Sequence, residues 1–170
     1  QAGKHLGAKV VSVSGSAEKL EKLRAFGLDV GIHARGEDFS ARVLEATGGR
    51  GVDLAVNLVG GTVFPACQKS LANFGRLVVV GYVDGVMKAE LDLESIHVKR
   101  LEIVGISNAP LTPQMRAEAT RGFNRDFMPA IADGRIVPVV DRIFPFDQLP
   151  AAKAYVEAGT QIGKVVVSMA

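Results

Sequence analysis

Gly51–Gly61 (Gly-Val-Asp-Leu-Ala-Val-Asn-Leu-Val-Gly-Gly) constrains the fold more than any other stretch. Its middle, Val52 to Val59, is almost wholly apolar and is bounded by glycines. A short apolar run between glycines predicts a strand buried on both faces, as inside a parallel sheet covered by helices. The Gly60-Gly61 pair has two readings. It leaves room for a ligand beyond the carboxyl end of the strand, where open α/β sheets bind theirs. Equally, it is a plain turn that needs positive φ.

The rest of the composition narrows the class. At 48% apolar and 22% charged residues, the chain can build a core and is not expected to be disordered. Twenty basic residues against 18 acidic, net +2 and unclustered, give no footprint for a nucleic acid. Cys67 is the only cysteine, so no internal disulfide forms, and the three scattered histidines add no zinc spacing. This pattern fits a reducing, cytoplasmic setting. No signal peptide and no run of 18 apolar residues is found, so no membrane span is expected. Position 1 is Gln, and the opening residues read as the interior of a longer chain.

Strands and helices alternate along the sequence. Gln1–Leu6 reads as a helix end stopped by Gly7, and Ala8–Val13 as a strand. Ser14-Gly15-Ser16 forms a turn with Ser16 as N-cap, before a helix that turns Leu20, Leu23 and Phe26 inward and stops at Gly27. Asp29–His33 is a short strand. Phe39, Val43 and Leu44 face inward from a helix ending near Gly48-Gly49. Glu37 and Asp38 precede that helix, where acids suit the positive end of its dipole. Beyond the central strand, Phe64, Cys67 and Leu71 mark a helix ended by Gly75, and Arg76–Val80 is a second buried strand. A helical turn around Leu93 and Ile96 precedes a third strand, Leu101–Ile106. Thr112 caps the longest helix, with Pro113 at its first position and a stripe of Met115, Ala119, Phe123, Phe127 and Ile131 running to Gly134. The character then changes: a Pro-bearing strand (Val137–Phe144), a small helix (Pro150–Glu157) and a last strand (Gly163–Met169). The fold class expected is α/β, with a doubly wound parallel sheet.

Leu6-Gly7-Ala8-Lys9-Val10, the lead Gly48-Gly49-x-Gly51-Val52-Asp53 into a strand ending Val59-Gly60-Gly61, the strand Gly75-Arg76-Leu77-Val78 with Gly81 after it, and the closing Gly163-Lys164-Val165-Val166 occur in this order. In this they are similar to the second half of a medium-chain dehydrogenase/reductase, most of all the zinc-free NADPH:quinone oxidoreductases, which include zeta-crystallin. The resemblance spans all 170 residues. It implies a dinucleotide-binding Rossmann domain over residues 1–134 and, over residues 135–170, a return segment belonging to a GroES-like catalytic domain. It also implies an absence. The first Rossmann strand and its G-x-G-x-x-G turn do not occur here. Gly159–Lys164 has the wrong glycine spacing for a phosphate loop and reads as a turn. In the strand order 3-2-1-4-5-6 the missing strand is central, so Ala8–Val13 and Val52–Val59 are expected to flank a gap. The expectation is a piece of a longer polypeptide with two unpaired inner edges.

The tip of the second Rossmann strand selects the dinucleotide: an acid there favours a ribose 2′-hydroxyl, its absence with a nearby cation a 2′-phosphate. Here the tip is Ser14-Gly15-Ser16, and Lys19 follows within reach. The resemblance matches Gly15 and Lys19 to an adenosine-ribose phosphate site, implying NADPH; a solvated helix lysine is the other reading of Lys19. Arg35 either adds charge or is a surface arginine, and the ring that relatives often carry at Ala34 is lost. The resemblance further places Val59, Gly60 and Gly61, then Val80, Gly81, Tyr82 and Val83, beside the cofactor's ribose and nicotinamide. It places Ile106, Ser107 and Asn108 at the carboxamide, and makes Leu101–Ile106 the strand that pairs across a homodimer. His5, His33 and His97 lack Ser or Cys partners and read as structural or exposed, and Cys67 as core packing.

The function implied is hydride transfer from NADPH to a quinone or an activated alkene. The cofactor carries the chemistry and the protein positions it. Catalytic residues are expected mostly before Gln1. The alternatives are a non-catalytic, crystallin-like nucleotide-binding or oligomerising protein, and a zinc-dependent alcohol dehydrogenase whose ligands lie mostly outside this chain. Enoyl reductases of polyketide assembly lines are a further relative. A methyltransferase shares the sheet but wants an acid at the second strand tip.

Overall fold

The computed structural model describes residues 1–35 and 38–169, and the chain divides into two compact units. The larger spans 9–121; the smaller joins 1–8 to 122–170.

The smaller unit begins with α1 (Ala2–His5), stopped by Gly7 at φ 82°. The larger unit then alternates β1 (Val11–Ser14), α2 (Ala17–Arg24), β2 (Val30–His33), α3 (Ser40–Ala46), β3 (Val52–Asn57), α4 (Phe64–Lys69), β4 (Leu71–Val79), α5 (Leu93–Lys99) and β5 (Glu102–Gly105). Ser16 caps α2 by accepting the Lys19 amide, and Asp92 caps α5 by accepting that of Ser95. Glu37 lies outside the described residues; Asp38 accepts the Ser40 amide at the start of α3.

Among the described residues every strand pairing is parallel. β1 pairs with β2, and β3-β4-β5 form a second sheet in which Ala55, Leu77 and Ile103 sit side by side. β1 and β3 belong to different sheets, so the expected gap lies between them. One core bridges it: Ile32 and Phe39 from one side join Phe64, Leu71 and Leu77 from the other, with Val43 of α3 and Cys67 of α4. The chain is thus an α/β protein with a Rossmann-type, doubly wound parallel arrangement.

Three expectations are corrected. The central strand is not buried on both faces. Ala55 and Asn57 face the core, while Leu54 and Val56 are each more than half exposed. Side chains alternate along a strand, and α3 and α4 cover only the face that Ala55 shares. Secondly, the helix expected to reach Gly75 ends at Lys69. Leu71 is fully buried as the first residue of β4, because the strand pairing that begins at Val52↔Leu71 claims it. The next pair is Leu54↔Arg76, so β4 bulges between them, with Phe74 at φ 62° and exposed beneath the Arg100 guanidinium. Thirdly, the longest helix is two: α6 (Pro113–Asp126) and α7 (Met128–Ala132). Pro129 has no N–H for the carbonyl of residue 125, and it opens α7 instead. The stripe is not a buried one on α6, where Met115 and Phe123 are about half exposed; on α7, Ala130 is buried.

The smaller unit contains β6 (Val140–Pro145), α8 (Leu149–Glu157) and β7 (Lys164–Ser168), with β6 and β7 parallel and α8 as their crossover. Phe144 and Ala152 are buried there, as Ala130 is on α7, and Arg142 lies over both Phe144 and Tyr155. Gln1 clasps the backbone of Val137 through both amide groups, and the His5 ring packs on Phe127. Among the described residues no helix is long and apolar enough to cross a membrane.

Candidate functional site at the strand tips

The candidate residues gather in two places at the carboxyl ends of the strands. The first is where β1 and β2 end. Ser14 Oγ accepts the Ser16 amide, and Ser16 Oγ accepts the amide of Lys19, which places Lys19 on the first turn of α2 beside the corner. Arg35, leaving β2, lies against Gly15: a Cβ at Gly15 would stand 2.7 Å from Arg35 Nε. The glycine is what lets the guanidinium rest there. His33 Nε2 is 3.2 Å from the Gly15 carbonyl, and Arg42 donates from both Nη atoms to the His33 carbonyl at 2.8 Å. No carboxylate occurs in Ser14–Ser16 or His33–Arg35. The nearby acid Glu18 is paired with Lys22 at 2.8 Å, whose hydrogen bond and charge hold its carboxyl below the usual range.

The second place is where β3 and β4 end. Gly60, Gly61, Gly81 and Tyr82 line a cleft of about 280 Å³ together with Asn57, Phe64, Val79 and Ile103. Val86–Ala89 and Leu91, from the loop after β4, also border it. Val59, Val80 and Val83 do not line it, and Val83 is 89% exposed. Ile106, Ser107 and Asn108 follow β5 outside the cleft. The Ile106 amide donates to the Val79 carbonyl, Ser107 Oγ accepts the Ala109 amide, and the Asn108 carbonyl accepts from Arg116.

Two residues absent from the sequence expectations shape this end. Asn57 is 2% exposed. Its Oδ1 accepts the amides of Val59 and Gly60, and its Nδ2 donates to the Gly60 carbonyl, all at 2.9 Å. Asp84 reaches over from the neighbouring loop. It accepts the Thr62 hydroxyl at 2.6 Å, the Thr62 amide at 3.0 Å and the Val86 amide at 2.9 Å. The Thr62 hydroxyl above all, then these amides, holds the Asp84 carboxyl below the usual carboxylate range. Asn57 carried a signal, a polar residue ending an apolar strand before two glycines. Asp84 carried none, since nothing local marks it as the partner of Thr62.

The zinc-binding dehydrogenase family matches residues 1–121, most of the chain. The chain belongs to this family. Within the medium-chain dehydrogenase/reductase superfamily it corresponds to the C-terminal half of a subunit. It is 32% identical over 167 residues to the highly reducing polyketide synthase ALT1 of Alternaria alternata, covering 96% of this chain and 6% of the synthase. It is 27% identical over 167 residues to quinone oxidoreductase-like protein 2 of Bos taurus, covering 96% of this chain and 46% of that protein. The solved structure of mycobacterial Rv1454c complexed with NADPH superposes with a TM-score of 0.81 at 27% identity, over 98% of this chain and 51% of that one. This chain thus spans about half of the related subunits and a small part of the synthase. The family's name carries a zinc. Among the described residues no group of three or more His, Cys, Asp or Glu could hold a metal ion. Cys67 lies buried on α4, where desolvation pushes its thiol up to about 11.

Proposed function

We propose that this chain is the cofactor-binding part of an NADPH-dependent oxidoreductase that reduces a quinone or an activated alkene. The observation that carries it is the corner at the tips of β1 and β2, where Arg35 rests on Gly15 and no acid is present. A cation held against a bare backbone, with Ser14, Ser16 and the first turn of α2 alongside, fits a 2′-phosphate; an acidic tip would reject it. The cofactor, when bound, supplies the hydride. Lys19 and Arg35 hold its phosphate end. Gly60, Gly61, Gly81 and Tyr82, with Val59, Val80 and Val83 at the margin, form the surface on which its other half rests. Ile106, Ser107 and Asn108 offer main-chain groups beyond β5. Residues 1–134 act as the dinucleotide-binding domain, and 135–170 as the return segment. β5 is an edge strand of its sheet, which supports pairing with a second copy.

The test is a fluorescence titration of the intact protein with NADPH and NADH. R35A is expected to weaken NADPH by about 10- to 100-fold, the worth of a charge-assisted phosphate contact, and to leave NADH unchanged. Equal loss for both nucleotides, or no loss, refutes the assignment. Oxidation of NADPH that depends on an added quinone or enone identifies an enzyme; tight binding without oxidation under any acceptor identifies a crystallin-like binder.

A further inference from the structure

Between β3 and α4 the turn Val59–Thr62 has the look of an anion cradle, with two glycines leading into a helix. Its four amides are nevertheless all taken by the protein. Val59 and Gly60 donate to Asn57 Oδ1, Gly61 donates to the Val86 carbonyl at 2.8 Å, and Thr62 donates to Asp84. Three of its carbonyls are engaged as well: that of Val59 accepts the Asp84 amide at 2.9 Å, that of Gly60 accepts Asn57 Nδ2, and that of Gly61 accepts the Phe64 amide at 3.3 Å. A Cβ on Gly60 would collide with the Asp84 carboxylate, so here the missing side chain makes room for Asp84.

We infer that Asp84 is a positioning residue that latches the 82–88 loop onto the Val59–Thr62 turn, so that this turn meets a ligand by shape and carries no phosphate. The chemistry of the latch is one-sided. The Asp84 carboxylate accepts three donors, two from Thr62 and one from Val86, and each is a charge-assisted bond. A carboxamide has a single acceptor oxygen and would turn N–H against N–H. The surface that results borders a cleft with Phe64, Val79, Tyr82 and Ile103, a mostly apolar lining in which Lys88, on the 82–88 loop, is the one charged residue among those described. The turn itself thus offers a ring a flat apolar surface and a phosphate no free amide. That ligand's identity rests on the nucleotide reading above; the latch itself does not.

Amide hydrogen exchange and NADPH titration on the intact protein test the two separately. D84N is expected to speed exchange at Gly61, Thr62 and Val86 by at least about 10-fold and to raise the Kd for NADPH by about the same factor. T62V, which deletes only the hydroxyl bond, should fall between D84N and wild type, and T62S should restore both values; this pair carries the test if D84N does not fold. Free exchange of these amides in the wild type, or wild-type exchange in D84N and T62V, overturns the latch. Faster exchange with unchanged NADPH affinity overturns the positioning role. A wild-type protein that binds no NADPH, while D84N still loosens the turn, supports the latch and overturns the nucleotide reading instead.

Discussion

Asn57→Ala is the most direct probe of the turn that closes β3. The side chain is 2% exposed and makes three hydrogen bonds at 2.9 Å, two of them buried and both to Gly60. Alanine keeps the strand residue but removes every one of these partners. The Gly60 amide and carbonyl then stay buried and unpaired, at roughly 1–2 kcal/mol each. The Val59 amide is nearer solvent and adds less, about 0.5 kcal/mol, because water can replace its acceptor. The total is about 3 kcal/mol, which for a chain of this size lowers the thermal midpoint by about 6–12 °C. Thermal and urea unfolding followed by circular dichroism measure it. Asp53→Asn, four residues back and exposed, is the control: its pair with Arg50 lies at the surface, and the midpoint should move by no more than about 2 °C. A loss below about 1 kcal/mol in N57A would refute the reasoning, since Gly60 would then have other partners or the turn could relax cheaply.

Two further predictions rest on single side chains. Cys67, with its thiol pushed up to about 11 by burial, should react with a thiol reagent at pH 8 on the order of 100-fold more slowly in the native protein than after unfolding in denaturant; equal rates would show that α4 opens readily. Asp38 is held down to about 2, first by the Lys69 hydrogen bond and then by Ser40. A depressed carboxylate stabilises the fold above its unfolded value, near 4, and that contribution is lost as pH falls toward 2. The melting temperature of D38N should therefore fall less steeply than that of wild type between pH 4 and pH 2, and parallel curves would remove Asp38 from the account.

Local signals were legible wherever one residue suffices. Ser16 announces a helix start because its hydroxyl reaches the Lys19 amide within one turn, and Gly7 and Gly134 mark helix ends where positive φ is needed. The meeting of Arg35 with Gly15 lay only partly in the open: both stood out as candidates, but their contact depends on β1 and β2 lying side by side. Leu71 misled for a physical reason. It falls at helical spacing from Phe64 and Cys67, and burial alone cannot tell a helix face from the first residue of a strand; the pairing with Val52 decides.

By itself, then, the sequence determined what local chemistry controls: alternating strands and helices, an α/β class, parallel pairing implied by the helices between strands, and a second strand tip without an acid. Tertiary structure alone decided which face of β3 is covered, where β4 begins, and that Asp84 closes over Thr62 from 22 residues away. The reason is range. Capping and backbone strain act within a turn of the chain, whereas a strand's neighbours and a loop's hydrogen-bond partners are set only once distant segments have packed together.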